Sequence, residues 1–467
     1  MSTNSIRVAI IGSGPSAFYA AGHLLLQSDP EVWVDMYEHL PTPFGLVRYG
    51  VAPDHQKIKN VTKVFSKTAS HPRFRFFGNV TYGKDIMLAD LKRFYHAILF
   101  ATGASVDRKM GIPGEDLPRS YPATEFVAWY NGHPDYAHLT FDLEQERIAV
   151  VGVGNVAVDV TRILLKDPDE LAKTDIADYA LEALRKSKVR EVYLLGRRGP
   201  AQAKFTYPEI RELTSLPNID VIVPPEEAEL DPLSRKELEE NPDKDVEAKV
   251  ELIQELAHKQ PEGKPRRLIL RFLVSPTELL GDEETGVQSM KLVHNELYAT
   301  EAGTLRPRPT DRYEELPVTE VYRAIGYRGV PLPDVPFHER WGVILNADGR
   351  VLDPETNQPL YGLYCTGWIK RGAQGVIGTN KPDAVATSEH IIEDARAGRL
   401  LAPETTDPDV IEQFVRERQP DFVSWEDWLI LDRLEVERGK AQGRPRVKFT
   451  SVEEMLEAIR REKMTAG

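Results

Sequence analysis

Residues 8–17 read VAIIGSGPSA, and residues 148–157 read IAVVGVGNVA. In each, a short apolar, β-branched run meets a glycine turn, and the turn opens into a stretch of small and apolar residues. That order predicts a buried parallel strand, a tight turn and a helix. The two copies match without a gap, Gly12 preceding Gly152 by 140 residues. Further out, VWVDMY at 32–37, AILFAT at 97–102 and VYLL at 192–195 are apolar strands separated by helical stretches. Such alternation predicts an α/β chain with parallel sheets, and the duplicated unit predicts two nucleotide-binding lobes. A fainter echo relates ATGAS at 101–105 to AIGYR at 324–328. Taken as the crossovers between lobes, these place a first lobe at 1–104, an inserted lobe at 105–329 and a return to the first lobe at 330–467.

The 467 residues include 59 Lys and Arg against 73 Asp and Glu, a net charge of −14. That acidity argues against a general nucleic-acid binder, which needs clustered positive charge. No apolar run is long enough to span a membrane. The opening MSTNSIRVAIIG leaves no room for a leader or transit peptide before the first strand. Cys365 is the single cysteine, so no internal disulfide, cysteine metal cluster or redox dithiol is possible, and no metal is expected. Within GLYCTGW it reads as a small buried strand residue. A reducing cytoplasm is the expected compartment.

Gly12, Gly14 and Ala17 form a GxGxxA fingerprint of Rossmann type. Gly12 permits the tight turn, Gly14 lets backbone approach a pyrophosphate, and Ala17 allows close helix packing, with free helix N–H groups facing the anion. Glu38 closes the next strand 26 residues after Gly12, where a carboxylate accepts ribose hydroxyls. The second unit repeats the pattern with Gly152, Gly154 and Ala157, but its next strand ends in Gly196-Arg197-Arg198. Two guanidiniums suit a 2′-phosphate and a carboxylate repels one, so this lobe is expected to prefer NADP(H). Its spacing of 45 residues from Gly152 to Arg197 is explained by a helical insertion at 166–188.

Two dinucleotide lobes in one chain suit a flavin and a nicotinamide. GSGPSAFYAA, LPTPFGLVRYGVAPDH, RFRFFGNV, IPGEDLP, VVGVGNVAVDVTRILL, GRRGP and GWIKRGAQGVIGTNK together resemble an adrenodoxin-reductase-type ferredoxin–NADP⁺ reductase. The resemblance runs from residue 6 to about residue 395 and is nearest to the bacterial members. It implies a glutathione-reductase-like fold, with FAD in the discontinuous first lobe and NADPH in the inserted one. It implies FAD contacts at Pro15, Ser16, Glu38, Leu46, Val80, Trp368 and the Gly375-Val376-Ile377 turn, with Gly375 near the nicotinamide. It implies NADPH contacts at Arg108, Val153, Gly154, Asn155, Val156, Arg197, Arg198 and Glu209. His55 and Glu212 are implied as the polar pair that positions nicotinamide against flavin. The helix fed by the Gly375 turn is expected to offer its positive end to the charge that arrives with a hydride.

From Lys57 to Arg75 there are six bases and no acids. Lys59, Lys63 and Lys67 recur at helical spacing and are expected to form one stripe, a candidate dock for an acidic ferredoxin. In the mitochondrial relatives the docking bases lie on the NADP lobe. Here residues 226–255 carry 12 acids and 4 bases, which sets that lobe apart and reads as a solvated helical excursion. Disulfide reduction is excluded by the missing dithiol. The remaining alternatives are a flavin monooxygenase, the reductase arm of a larger iron–sulfur enzyme, and a nucleotide-binding redox sensor.

Overall fold

The computed structural model describes residues 5–466. The chain divides into two compact units. The first contains residues up to Val106, a short return at 131–137, and residues 327 onward; the second contains 107–130 and 138–326.

The first unit is built on a seven-stranded sheet in which Ser5–Ile11 lies between Ala97–Phe100 and Glu31–Tyr37. Phe74–Phe77 and Pro359–Cys365 extend it in parallel on either side. Val8, Ala9 and Ile10 are fully buried, so the strand is apolar on both faces, as a covered parallel sheet requires. Asn346–Ala347 and Arg350–Leu352 add an antiparallel edge. Cys365 ends its strand fully buried, and burial pushes its thiol pKa up, leaving it unreactive.

The tail folds onto this unit as helices Pro408–Arg418, Trp425–Ala441 and Val452–Ala466. Trp425 and Trp428 enter an aromatic cluster with Phe18, Phe44 and Phe74. Ser451 caps the last helix through the Glu454 N–H at 3.4 Å. The tail also seals in an ion cluster. Arg48 donates to both oxygens of Glu435, at 2.8 and 2.5 Å, and Arg446 donates to the same carboxylate at 2.9 Å.

The second unit has a six-stranded, all-parallel sheet in the order Ser120–Pro122, Glu320–Arg323, Arg147–Val151, Glu191–Leu195, Arg266–Arg271, Ile219–Ile222. Helices Pro168–Leu171 and Asp178–Arg185 occupy the long connection before Glu191. A separate antiparallel sheet, Val274–Asp282, Gly286–Ala299 and Leu305–Leu316, has no counterpart in the sequence reading. It is seated by the IPGEDLP segment: Leu279 N–H donates to Pro113 O at 2.9 Å, and a Cβ on Gly114 would fall 2.0 Å from Leu279 O.

The acidic stretch is less solvated than its composition suggests. Glu227 is buried, paired with Arg271 and bonded to the Phe272 N–H at 2.9 Å. Lys249 is buried too, donating to Ala203 O and Phe205 O at 3.0 and 3.1 Å. No helix among the described residues is long and apolar enough to cross a membrane.

Candidate functional site

In the first unit, Gly12 has φ +111°, and a Cβ there would lie 2.2 Å from Ala101 O. Only glycine fits. Its N–H donates to Tyr37 O at 2.8 Å, tying the turn to the neighbouring strand. Gly14 is the N-cap of helix Pro15–Leu25, which has no side-chain cap, and a Cβ on Gly14 would meet open space. The turn therefore offers unsatisfied helix N–H groups beside room for a ligand's phosphates. Pro15 opens the helix, where its missing N–H costs nothing. Ser16 is mostly buried and Ala17 completely so, packed into the core.

Other segments converge on the same turn. A Cβ on Gly45 would be 2.9 Å from Gly14 Cα, and one on Gly367 would be 2.5 Å from Ser16 Oγ. Leu46, partly exposed, and Trp368 follow those glycines directly. Trp368 Nε1 donates to Gln374 O at 3.1 Å, which folds the 368–375 loop back on itself. Gly375 has φ +84°, and Val376 is exposed while Ile377 leans on the core. This turn passes through Ile377–Thr379 into helix Asn380–Arg396, which has no side-chain cap. Asp383, in its first turn, accepts from Gly367 N at 2.6 Å and from Lys370 Nζ at 2.8 Å. Val80 is a core residue whose N–H donates to the Glu38 main-chain carbonyl at 2.9 Å, so its backbone flanks that of Glu38.

Glu38 is tightly held. Ser13 Oγ donates to Oε2 at 2.5 Å, Leu40 N–H donates to Oε1 at 3.1 Å, and His39 Nδ1 lies 2.9 Å from Oε1. Burial opposes ionisation, but His39 and these hydrogen bonds outweigh it and hold the carboxyl below its usual range. His39 Nε2 reaches Asp135 Oδ2 at 3.0 Å. Burial works against its charge, yet the two carboxylates push its pKa up to about 10. Sequence reasoning missed Ser13, His39 and Asp135. His39, His133 and Asp135 are near enough to share an ion, but most of the atoms that would bind it are already hydrogen-bonded. Both His39 nitrogens donate to carboxylates, and His133 Nδ1 accepts the Asp135 N–H at 3.1 Å.

The second unit repeats the turn. Gly152 has φ +129°, and a Cβ there would lie 2.1 Å from Ala324 O. Gly154 is the uncapped N-cap of helix Asn155–Leu165, again with open space at its Cβ. Val153 O accepts the Lys204 and Phe205 N–H groups, each at 2.8 Å, and Asn155 Oδ1 accepts the Thr206 N–H at 3.0 Å. Val156 packs against the core. A Cβ on Gly196 would touch Val153 Cγ1 at 3.0 Å, which brings the Arg197–Arg198 turn against the glycine turn. Arg197 is exposed; Arg198 is half-buried and donates to Leu305 O at 3.4 Å. Burial and the Arg197 charge lower the Arg198 pKa from its ordinary value. Arg108 is exposed, its N–H donating to Gly326 O at 3.0 Å.

Glu209 and Glu212 lie on helix Tyr207–Thr214. Both face Arg162, which is completely buried, at 3.8 Å each, and Arg162 also pairs with Asp159 at 2.9 Å. Arg162 is the group that sequence reasoning missed here. His55 belongs to the first unit, in the loop after Leu46–Tyr49, where its N–H donates to Ala52 O at 3.0 Å.

The three-lysine stripe does not form. Lys59 lies in a 3₁₀ turn, Ile58–Val61, and is buried at 7% exposure. Only Lys63 and Lys67 stand exposed on helix Thr62–Ala69. A 3₁₀ turn has about 3.0 residues per turn, so it breaks the four-residue register. Arg73 and Arg75 from the same run are engaged by Val32 O, Leu25 O and Asp35.

No protein-family model matches the chain. It is 45% identical over 457 residues to the NADPH-ferredoxin reductase FprA of Mycobacterium tuberculosis, covering 96% of this chain and 98% of that protein. It is 40% identical over 466 residues to the human mitochondrial NADPH:adrenodoxin oxidoreductase, covering 97% of this chain and 92% of that protein. The solved structure of M. tuberculosis FprA in complex with NADPH superposes with a TM-score of 0.91 at 44% identity, covering 97% of this chain and 99% of that one.

Proposed function

The chain belongs to the family of NADPH–ferredoxin reductases that includes the mitochondrial adrenodoxin oxidoreductases, and on that premise we propose that it is an FAD-containing reductase carrying electrons from NADPH to a ferredoxin-type iron–sulfur protein. The observation that carries the reading is the pair of glycine turns, sterically alike, whose neighbouring strands end in opposite charges. FAD fits the first unit, where open space at Gly14, an uncapped helix and an ionised Glu38 match a pyrophosphate and a ribose. It would be held by Gly12, Gly14, Pro15, Ser16, Ala17, Glu38, Leu46, Val80, Trp368 and the Gly375–Ile377 turn. NADPH fits the second unit, with its pyrophosphate on Val153–Val156, its 2′-phosphate on Arg197 and Arg198, and further contacts at Arg108 and Glu209. Bound FAD supplies the conversion of a two-electron hydride into single electrons.

The protein's own part is placement and field. The first turn of helix Asn380–Arg396 contributes partial positive charge, and His55 and Glu212 orient the nicotinamide without taking a proton. Each NADPH oxidised then yields NADP⁺, one proton and two reduced one-electron acceptors. With a net charge of −14, an acidic ferredoxin needs a local cationic landing, which Lys63 and Lys67 provide. A reducing cytoplasm suits a chain with one buried thiol.

The test is NADPH-driven cytochrome c reduction by the holoenzyme, with and without ferredoxin. Dependence on added ferredoxin is the expected result. Oxygen uptake stoichiometric with a small organic substrate would replace this reading with a monooxygenase. A second measurement addresses His55: in His55→Ala, stopped-flow reduction of the flavin by NADPH should slow while FAD stays bound.

A further inference from the structure

Glu38, His39 and Asp135 form a line of alternating charge on the first unit. The bonds are 2.9 Å from His39 Nδ1 to Glu38 Oε1 and 3.0 Å from Nε2 to Asp135 Oδ2. Asp135 comes from the 131–137 return, whose chain neighbours on both sides cluster with the second unit. We propose that His39, held by Asp135, is a positioning residue that clamps Glu38 so that its Oε2 keeps an acceptor site for a ribose hydroxyl of FAD. This rests on Glu38 being the ribose acceptor, as proposed above.

An ionised carboxylate has about four acceptor positions. Oε1 uses both of its own on the Leu40 N–H and His39, and Oε2 uses one on the Ser13 hydroxyl. One position remains, on Oε2. Burial alone would favour a neutral Glu38, and a protonated carboxyl could turn its O–H toward a hydroxyl oxygen instead of accepting. The His39 imidazolium prevents that by pairing with the charged form and fixing which oxygen turns inward.

His39 in turn needs a second anion to stay charged beside a buried group, and Asp135 supplies it. Asp135 is itself located by its neighbours. Its N–H is bound by His133 Nδ1, whose ring packs on Tyr49 at 4.8 Å and on Tyr136 at 4.9 Å. Asn131 O, at the start of the return, accepts Lys448 Nζ at 3.0 Å. The return is thus pinned at Asn131 and again around His133.

The experiment is the rate of flavin release from holoprotein on dilution, followed by the fluorescence of free FAD. Because the His39 pair is partly exposed, His39→Gln should speed release about fivefold, and Asp135→Asn about threefold. The double variant should be no faster than His39→Gln alone, since both act through one relay. His39→Lys, which keeps the charge, should restore the wild-type rate. A rate for His39→Lys equal to that of His39→Gln would overturn the clamp, as would unchanged rates in both single variants while Glu38→Gln releases flavin rapidly. Unchanged release in Glu38→Gln would overturn the ribose reading beneath it. Stoichiometric Zn²⁺ binding by wild type, lost in His39→Gln, would make the cluster an ion site and contradict the relay.

Discussion

At Gly12 and at Gly152 the chain solves one steric problem in the same way. Each glycine donates its N–H to the last residue of the next strand, Tyr37 or Leu195, at 2.8 and 2.9 Å. Each faces the carbonyl of an alanine, Ala101 or Ala324, whose own N–H donates back to the end of the glycine strand at 2.8 Å. The faint ATGAS and AIGYR echo is therefore structural: both alanines close the same turn. Beyond the turn the units part. One strand runs into Glu38, held by a hydroxyl, an amide and an imidazolium. The other runs into two guanidiniums, ahead of a loop that the acidic stretch holds through Gln202 on Ser234 at 2.8 Å and Lys249 on Ala203 and Phe205. The backbone turn is the same in both units, and the units differ in the charge that ends the neighbouring strand.

The strongest way to separate the units is to break one turn at a time. An alanine at either glycine combines a positive φ with a carbonyl clash, a cost of about 3 kcal/mol or more. Gly12→Ala should purify without flavin. Gly152→Ala should keep its flavin, visible in the absorbance spectrum, and lose NADPH turnover.

Arg48→Met probes an asymmetry, because only the first unit is sealed by a tail. It strands part of the Glu435 charge, for which about 3–5 kcal/mol is expected. The thermal midpoint reported by flavin release should fall by several degrees, while the NADPH KM of the remaining folded protein stays the same.

Arg197→Ser with Arg198→Ser tests the charge difference itself. Each charge-assisted bond to phosphate is worth roughly 1.5–3 kcal/mol, so NADPH kcat/KM should fall at least ~100-fold with NADH little changed. Equal losses for the two coenzymes would sink the 2′-phosphate assignment. The smallest effect is expected at Lys63→Glu with Lys67→Glu. The ferredoxin KM should rise about threefold at low salt and its salt dependence should flatten, with ferricyanide reduction unchanged.

What the sequence made legible follows physical lines. The glycine turns and the strands feeding them are local, and steric demand writes them into adjacent residues. The Arg197–Arg198 pair was readable because it ends a strand that the periodicity already located. Lys59 was misread because a four-residue spacing says nothing about a 3₁₀ turn interrupting the helix. The antiparallel sheet at 274–316 went unread because its outer strand is largely polar, with only Leu305 and Leu316 buried. Arg162, Asp135 and His39 were invisible for a different reason. Arg162 gathers Glu209 and Glu212 from a later helix, and His39 meets Asp135 across a return that no local pattern announces.

The most direct test of two turns holding two different dinucleotides is calorimetric titration of the flavin-loaded protein with 2′,5′-ADP and, separately, with 5′-AMP. 2′,5′-ADP should bind one site at least ~100-fold more tightly than 5′-AMP, from at least two charge-assisted phosphate bonds. The flavin should stay bound throughout, and the preference should vanish in the double arginine variant. Release of flavin by 2′,5′-ADP, or equal affinity for the two ligands, would contradict it.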